Sequence, residues 1–448
     1  MKSFIRILRA RLGTAAGALP KSFFLSTHTL LFWAWAALAG IVSAGVTTGF
    51  RLSIALLEWR TSTHANGLVA AALTLSPLMR ILVGTMGGLI AGTLLWLGIR
   101  WSARGPRGER HIDYIDAARF GEAELNDRTT LSRSASSLIS VASGASVGRE
   151  GPMVQLAAWA SVVLGRLLNL PSAERKALMV CGIASGIGAA YHAPVAGVVF
   201  VLELALGFLA RHTVAPVLIA VAASSILITG LGLAEPIYVI PVAGLAQGNL
   251  EFAALTGLLC GGLGTGLLYG VERSRLVFAR ISSLPLRLML GGFLSGGLSA
   301  LVPEVWGNGF STVSHILHGG TLMQWVALVL TIKLLATLFS AGSGAVGGLF
   351  TPTLFIGATS GFLLGDMLLS SLPAGWVGTP ETAAVIGMAA ALAAATQAPL
   401  MAIIMVLEMT GQFQLSVPIM LAVGVAYAVS TRFGTRPLYG NPIEGRST

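Results

Sequence analysis

Residues 182–203 read GIASGIGAAYHAPVAGVVFVLE, and residues 387–408, which lie 205 positions further along the chain, read GMAAALAAATQAPLMAIIMVLE. Nine of the 22 positions are identical, including the Ala-Pro pair at 193–194 and the Val-Leu-Glu triplet at 201–203. Chance similarity between stretches rich in alanine and glycine does not account for these two groups. The pattern predicts a structural repeat, with a broken helix at the matching proline of each copy.

A second pair of similar segments lies upstream of the two copies. GREGPMVQL occupies residues 148–156 and GGLFTPTLF occupies residues 347–355, and each places glycine before a helix start that contains proline. Several other apolar segments are too short for a full membrane crossing and begin at proline or glycine, which is typical of half-helices and re-entrant segments. Irregular backbone at membrane depth is tolerated only inside protein or beside an aqueous cavity. The interruptions therefore mark the predicted functional site.

The composition assigns the whole chain to the membrane. Of its 448 residues 54% are hydrophobic and 10% are charged, whereas soluble domains carry about 25% charged residues. This excludes a soluble enzyme and predicts an all-α polytopic membrane protein with about ten to fourteen crossings. Cys181 and Cys260 have no His or Cys at ligand spacing, so we expect packing roles for both and no metal site. No phosphate-binding loop is present in the sequence, and neither a cofactor nor a nucleotide is expected.

The charged residues suggest how the chain is organised. Residues 1–27 combine basic and apolar side chains and predict a cytoplasmic interfacial helix. We expect a first membrane half at 28–235, a second at 236–440 and a short tail at 441–448. The net charge of +10 comes mainly from connecting stretches and both ends. This distribution favours the positive-inside bias over nucleic-acid binding, and predicts that both termini are cytoplasmic.

The broken helices indicate what the site binds. A helix N-terminus carries partial positive charge and several unpaired N–H donors, and it can hold an anion where water is absent. Dipoles hold a small anion less tightly than a full Arg or Lys charge, so they permit release. The sequence predicts an anion-handling membrane protein. Binding of a substrate carboxylate, as in transporters of other folds, is the alternative.

At these residues the sequence resembles the CLC family of chloride channels and chloride/proton antiporters. Residues 148–152 match its GREGP motif, and residues 348–352 match its GxFxP motif, with Gly342-Ser343-Gly344 upstream as in relatives. Residues 437–439 resemble the terminal motif that supplies a pore tyrosine. Details around residues 111–117 and 306–309 look most like the bacterial ClcB-type subgroup. The motifs occur in family order over nearly the whole chain.

The resemblance implies the CLC fold, in which two inverted-topology halves contain broken and re-entrant helices. It also implies a homodimer in the bacterial inner membrane with one pore per subunit. Chloride is expected near the N–H groups of Gly348, Leu349 and Phe350 and the hydroxyl of Tyr439. Glu150 is expected to be the gate, because a carboxylate inside a membrane is a functional candidate. Gly148, Arg149 and Gly151 complete the implied anion-binding motif, although ion pairing is the favoured role of Arg149.

The sequence departs from the family pattern at two positions. Arg110-His111-Ile112-Asp113 stands where the family usually has Ser-Gly-Ile-Pro, so no serine ligand carries over, and Arg110 and His111 are tentative site residues. Antiporters of the family commonly have a second glutamate directly after the position of Glu203, and here that residue is Leu204. Glu203 is a further tentative site residue, but its repetition as Glu408 favours a structural role in both halves.

These departures favour passive, Glu150-gated chloride conductance, serving as an electrical shunt under acid stress. A coupled chloride/proton antiporter is the alternative, with protons as a second partner. A fluoride/proton antiporter is the second alternative, although Tyr439 and the intact GxFxP motif weigh against it. An enzyme with Glu150 and Glu203 as an acid/base pair is not expected, because few long soluble loops could hold a polar substrate. The paired nucleotide-sensing CBS domains of larger relatives are not expected after Tyr439.

Overall fold

The computed structural model describes residues 27–61, 67–103, 113–120, 125–206, 211–233, 237–238, 240, 250–369, 371, 378–434 and 437–439. Over these residues the chain is almost entirely α-helical, and its only β pairing is an isolated bridge between Gly148 and Gly348. Three expectations fall outside the described residues: the interfacial helix before residue 27, the pair Arg110 and His111, and the tail at 441–448. The boundary between the halves at 235/236 also falls there and stays a prediction.

The N-terminal half begins with a long helix and contains the first broken pair. Its described helices are α1 (Thr27–Thr61), α2 (Leu68–Thr74), α3 (Pro77–Ala103), α4 (Tyr114–Phe120), α5 (Asp127–Ala142), α6 (Glu150–Leu167), α7 (Ser172–Tyr191), α8 (Pro194–Phe200) and α9 (Arg211–Gly230). A π-helical turn, Val201–Leu206, directly continues α8.

The C-terminal half contains the second broken pair. Its described helices are α10 (Leu250–Phe278), α11 (Leu284–Leu301), α12 (Phe310–Leu317), α13 (Met323–Ser343), α14 (Phe350–Leu369), α15 (Pro380–Thr396), α16 (Pro399–Thr410) and α17 (Ser416–Arg432). Short 3₁₀ turns at Pro303–Val305 and Phe413–Leu415 precede α12 and α17.

Eight of the described helices are long and apolar enough to cross a membrane. This is fewer than the ten to fourteen crossings expected, because several apolar segments form shorter helices. The short apolar helices are Pro194–Ala205, Pro380–Thr396 and Pro399–Thr410, and they include both segments that begin at the matching prolines. The predicted mixture of full spans and partial helices in a polytopic membrane protein is confirmed.

The predicted repeat is present at the level of backbone conformation. His192 directly follows α7 with φ 49°, and Gln397 directly follows α15 with φ 54°, so both non-glycine residues adopt the left-handed conformation. Two residues later Pro194 and Pro399 each occupy the first position of the next helix, where proline's missing N–H sacrifices no hydrogen bond. The chain therefore breaks in the same way at the same place in each copy.

Small residues allow the helices of the two halves to approach closely. A Cβ added to Gly88 of α3 would lie 2.3 Å from the carbonyl oxygen of Leu288 in α11. One added to Gly292 would lie 2.1 Å from the carbonyl oxygen of Gly84. Small residues at such crossings are typical of membrane helix packing. The α3–α11 contact thus joins the halves at backbone distance.

The burial pattern separates the interior from the outer surface. Residues 178–191 of α7 and 382–396 of α15 are buried throughout, whereas α1, α3 and α10 carry many exposed leucines. Cys181 and Cys260 are fully buried free thiols. An apolar exterior around a buried interior suits lipid as the surrounding solvent. Most residues of the broken helices α8 and α16 are buried in that interior, whereas Val195 and Leu400 at their starts are exposed.

Candidate functional site

The N-termini of α6 and α14 meet through the isolated bridge. The Gly148 N–H donates to the Gly348 carbonyl at 2.8 Å, and the Gly348 N–H donates to the Gly148 carbonyl at 2.8 Å. Helix α6 begins two residues after Gly148, and α14 begins two residues after Gly348. Two sets of first-turn amides, each with the positive end of a helix dipole, therefore lie on either side of one small region.

The bridge bears on the expected role of Gly348 as an anion ligand. Because the Gly348 N–H is bonded to Gly148, it is not free to donate to an anion. The N–H groups of Leu349 and Phe350 come next, at the start of α14, where amides have no intrahelical acceptor. These two amides are the candidate anion ligands. Gly348 instead allows its backbone to pair closely with that of Gly148.

Glu150 is the first residue of α6 and is 6% exposed. Its Oε1 accepts a hydrogen bond from Nδ2 of Asn308 at 2.9 Å, whereas its Oε2 has no hydrogen-bond partner among the described residues. A Cβ on Gly148 would lie 2.3 Å from Oε2 and 3.1 Å from the Gly348 carbonyl oxygen. The carboxylate thus folds back over the bridge, into space that only glycine at position 148 leaves open.

Two cavities adjoin this point, and we name each after one of its lining residues. The Tyr439 cavity has a volume of about 310 Å³, and its lining includes Asp113, Gly151, Pro152, Leu349 and Tyr439. The Glu150 cavity has a volume of about 260 Å³, and its lining includes Arg51, Arg149, Glu150, Asn308 and Thr351.

The two cavities are lined by neighbouring residues at the starts of α6 and α14. Arg149 and Glu150 line the Glu150 cavity, while the next two residues of α6 line the Tyr439 cavity. In the second half Leu349 lines the Tyr439 cavity and Thr351 lines the Glu150 cavity. A small anion passing between the cavities would cross the first turns of α6 and α14, where Glu150 lies.

Tyr439 is held in its cavity from several directions. The N–H of the preceding Leu438 donates to the Ala395 carbonyl near the end of α15 at 2.7 Å. Arg119 of α4 donates through Nη1 to the Tyr439 carbonyl at 3.2 Å. The Tyr439 ring packs edge-on against Phe200 with 5.4 Å between ring centroids. The ring is therefore fixed in the lining of the Tyr439 cavity, whereas Asn308 lines the Glu150 cavity.

Asp113 is a feature of the Tyr439 cavity that sequence reasoning did not single out. Its Oδ1 accepts from the Ile115 N–H at 3.0 Å. Burial raises the pKa of Asp113 to about 6, although that hydrogen bond and the charge of Arg133 act in the opposite direction and Asp116 adds to the rise. The Tyr439 cavity therefore loses a negative charge as the pH falls through about 6, which favours an anion there.

The Glu150 cavity carries positive charge. Arg51 of α1 and Arg149 both line it, and Nη1 of Arg51 lies 2.7 Å from Nε2 of His192. Glu58 of α1 is close enough to interact electrostatically with Arg149. Two guanidinium groups beside a buried carboxylate attract anions to the cavity, since a concave site with low-dielectric walls focuses the field.

Asn308 is a site residue whose role sequence reasoning missed. In the sequence, residues 306–309 indicate only a resemblance to the ClcB-type subgroup, and nothing in the local sequence indicates a contact with Glu150. The two residues are 158 positions apart. Among the described residues, no group of three or more His, Cys, Asp and Glu side chains could hold a metal ion.

Glu203 and Glu408 make reciprocal contacts between the repeats. The Glu408 carboxylate accepts from two amides at the start of α8, and the Glu203 carboxylate accepts from two amides at the start of α16. The distances are 3.0 Å from Val195 N, 2.7 Å from Ala196 N, 3.2 Å from Leu400 N and 2.7 Å from Met401 N. Each glutamate thus caps the broken helix of the other half, where an anionic group is favourable.

We expect Glu203→Gln and Glu408→Gln to destabilise the fold to a similar extent, by about 1–2 kcal/mol each. Both changes keep the side-chain shape and remove the charge that faces a helix N-terminus. Thermal unfolding of the purified variants in detergent measures the effect. A variant pair in which only Glu203→Gln alters ion transport would contradict the shared capping role.

Comparisons with known proteins agree with this geometry. The sequence profile of the voltage gated chloride channel family matches residues 87–431. A ClcB-like chloride channel protein of Ralstonia nicotianae is 45% identical over 416 residues, covering 91% of this chain and 95% of the relative. The voltage-gated ClC-type chloride channel ClcB of Citrobacter koseri is 39% identical over 404 residues, covering 88% and 94%.

Solved structures show the same fold. A slow cyanobacterial Cl⁻/H⁺ antiporter superposes with a TM-score of 0.78 at 22% identity, covering 91% of this chain and 96% of that one. A CLC-type fluoride/proton antiporter superposes with a TM-score of 0.73 at 22% identity, covering 92% and 98%. With the profile match and the relatives, the chain is shown to belong to the CLC family of voltage-gated chloride channels and transporters, and within it to be similar to the bacterial ClcB proteins.

Proposed function

We propose that the protein conducts chloride passively across the membrane, with Glu150 as its gate. The observation that carries this proposal is the position of the Glu150 carboxylate, which lines one cavity and lies beside the bridge where two helices start. A carboxylate there carries the same charge as the anion and occupies its path. Chloride passes when the side chain moves aside or takes a proton.

The proposed anion ligands are neutral groups. The amides of Leu349 and Phe350 supply dipoles from the start of α14, and the Tyr439 hydroxyl supplies a further donor from its cavity. Arg51 and Arg149 concentrate chloride in the Glu150 cavity without a full charge at the narrowest point. Binding by dipoles alone keeps the ion loose enough to leave, as conduction requires.

Passive conductance is favoured over proton coupling by the surroundings of Glu203. The side chain next to it is Leu204, which cannot carry a proton. The Glu203 carboxylate accepts from Leu400 N and Met401 N, so both of its oxygens are already engaged at a helix start. Neither Leu204 nor Glu203 therefore offers a proton relay from the Tyr439 cavity to Glu150.

Coupled chloride/proton antiport is the second candidate, and one observation favours it. Asp113 lines the Tyr439 cavity, and its pKa of about 6 allows proton exchange near neutral pH. A proton taken up there could reach Glu150 through water in the cavity. Antiport is also the activity named for both solved structures described above.

Reconstitution into liposomes tests the two mechanisms. With an outward chloride gradient and valinomycin to carry potassium, we expect rapid chloride loss with no proton movement. Proton uptake against its own gradient, driven by chloride, would overturn the passive proposal and establish antiport. Protein-free vesicles and vesicles loaded with fluoride provide the leak control and the test of the fluoride alternative.

We further propose a homodimer in the bacterial inner membrane, with both termini cytoplasmic. Glu203 and Glu408 are only partly buried, and they lie beside exposed Val195 and Leu400. Partly exposed carboxylates are costly against lipid, so coverage of this face by a second copy is favourable. In the cell such a protein would act as an electrical shunt, dissipating the voltage built by other charge movements during acid stress.

A further inference from the structure

A buried lysine lies behind the loop that contacts Glu150. Lys333 of α13 is 1% exposed, and its Nζ donates to the Val305 carbonyl at 2.7 Å and also to the Gly307 carbonyl. A buried ammonium group is tolerated only where other dipoles replace its hydration. The carbonyls of this loop supply those dipoles, and the loop is in turn tied to α13 immediately before Asn308.

Asn308 is oriented by its own neighbours. Gly307 and Gly309 on either side have φ values of 76° and 93°. The backbone therefore turns sharply at both positions, in a conformation that residues with a side chain rarely adopt. The Asn308 Oδ1 accepts from the N–H of Phe310, the first residue of α12, at 3.1 Å. With its oxygen bound there, the amide must present Nδ2 to Oε1 of Glu150, and the observed distance is 2.9 Å.

We propose that Asn308 is a positioning residue that holds the Glu150 carboxylate in the anion path, and that Lys333 fixes the loop from which Asn308 acts. This rests on the proposed gating role of Glu150. Asn308 donates to one carboxylate oxygen, and the other has no hydrogen-bond partner among the described residues. A single neutral donor stabilises the occupied position yet yields to a proton or an incoming anion, whereas a guanidinium contact would hold the gate shut.

Several other charged or titratable groups face Glu150, and any change in pH response must be separated from theirs. They come from α1, the α6 N-terminus, the α7–α8 link and the tyrosines around the two cavities: Arg51, Arg149, Tyr191, His192, Tyr238 and Tyr439. A change at Asn308 alters none of these side chains. A shift of the pH profile in an Asn308 variant therefore reports on the hydrogen bond to Glu150.

The test is Asn308→Leu, which keeps the side-chain size and removes the donor. Chloride efflux from liposomes is measured as a function of pH, and we expect the midpoint of acid activation to move upward by about one pH unit. The maximal flux in acid should stay at the wild-type level. Thr312→Val is the matched control, because this buried hydroxyl of α12 has no hydrogen-bond partner among the described residues. The change should leave the midpoint unchanged.

Lys333→Met should shift the midpoint in the same direction by a smaller amount. If that variant fails to fold, the Asn308→Leu result alone decides. An unchanged midpoint in Asn308→Leu, or an equal shift in Thr312→Val, would overturn the proposal.

A double variant separates positioning from a general structural role. In the Glu150→Gln background, Asn308→Leu should produce no further shift, because the group on which it acts is gone. An equal loss of maximal flux in both backgrounds would instead assign Asn308 to loop stability and overturn the proposal. If Glu150→Gln by itself keeps the wild-type pH profile, the gating role of Glu150 fails, which is distinguishable from failure of the Asn308 contact alone.

Discussion

Replacing Glu150 with glutamine is expected to raise chloride flux at neutral pH by roughly ten- to a hundredfold, to the level that the wild type reaches in acid. Glutamine keeps the shape of the side chain but removes the charge that competes with the anion. A charge-assisted hydrogen bond contributes about 1.5–3 kcal/mol, which sets the scale of the increase. Chloride efflux from liposomes at a series of pH values gives the result directly.

Two comparisons make this result specific. Glu251→Gln changes an exposed glutamate in the first turn of α10, which lines neither cavity, and should leave flux unchanged. The double variant Glu150→Gln, Asp113→Asn also removes the Asp113 carboxyl, whose pKa burial raises to about 6. Any acid activation that remains in Glu150→Gln but is lost in the double variant is then assigned to Asp113. A folded Glu150→Gln protein with wild-type flux at neutral pH would place the gate elsewhere.

Gly148→Ala is the second change with a large expected effect, a rise in neutral-pH flux of about tenfold. The backbone at Gly148 does not have the positive φ values that exclude other residues, so space alone decides the outcome. The added Cβ would lie 2.3 Å from Oε2 of Glu150 and 3.1 Å from the Gly348 carbonyl oxygen. The flexible carboxylate is easier to displace than the paired backbone, and we expect it to leave the anion path.

The double variant with Glu150→Ala provides the control. Once the carboxylate is absent, Gly148→Ala has nothing to displace and should add no flux. Gly262→Ala, where an added Cβ meets nothing within 4 Å, tests the general effect of a methyl group in a helix. If a folded Gly148→Ala protein kept the wild-type flux at neutral pH, the Glu150 carboxylate would not need the space that an alanine Cβ at position 148 occupies.

Much of the fold could be predicted from the sequence because its signals are local. The repeated Ala-Pro pairs mark helix breaks at Pro194 and Pro399, since proline favours the first position of a helix. The glycine-proline segments at 148–152 and 348–352 mark the starts of α6 and α14, because Pro152 and Pro352 lie in the first turn, where a missing N–H costs no intrahelical hydrogen bond. Hydropathy separates the chain from soluble proteins, although it overestimates the number of full crossings where two apolar segments form broken helices.

The contacts that complete the site could not be predicted in this way. Asn308 reaches Glu150, and Lys333 reaches the Val305 carbonyl, only because distant helices pack together. A lysine in an apolar helix is expected to need polar partners, but the sequence does not indicate which carbonyl groups these are. Likewise the loss of the Gly348 N–H to the bridge depends on Gly148, which lies 200 positions earlier in the chain.

The exchange of helix caps between Glu203 and Glu408 has an evolutionary consequence. Neither half can satisfy the start of its own broken helix, because the required carboxylate belongs to the other half. A single-half ancestor would therefore have needed a second copy to complete both helices. Gene duplication and fusion would then have joined two subunits that already depended on each other, and their pairing would be older than the single chain.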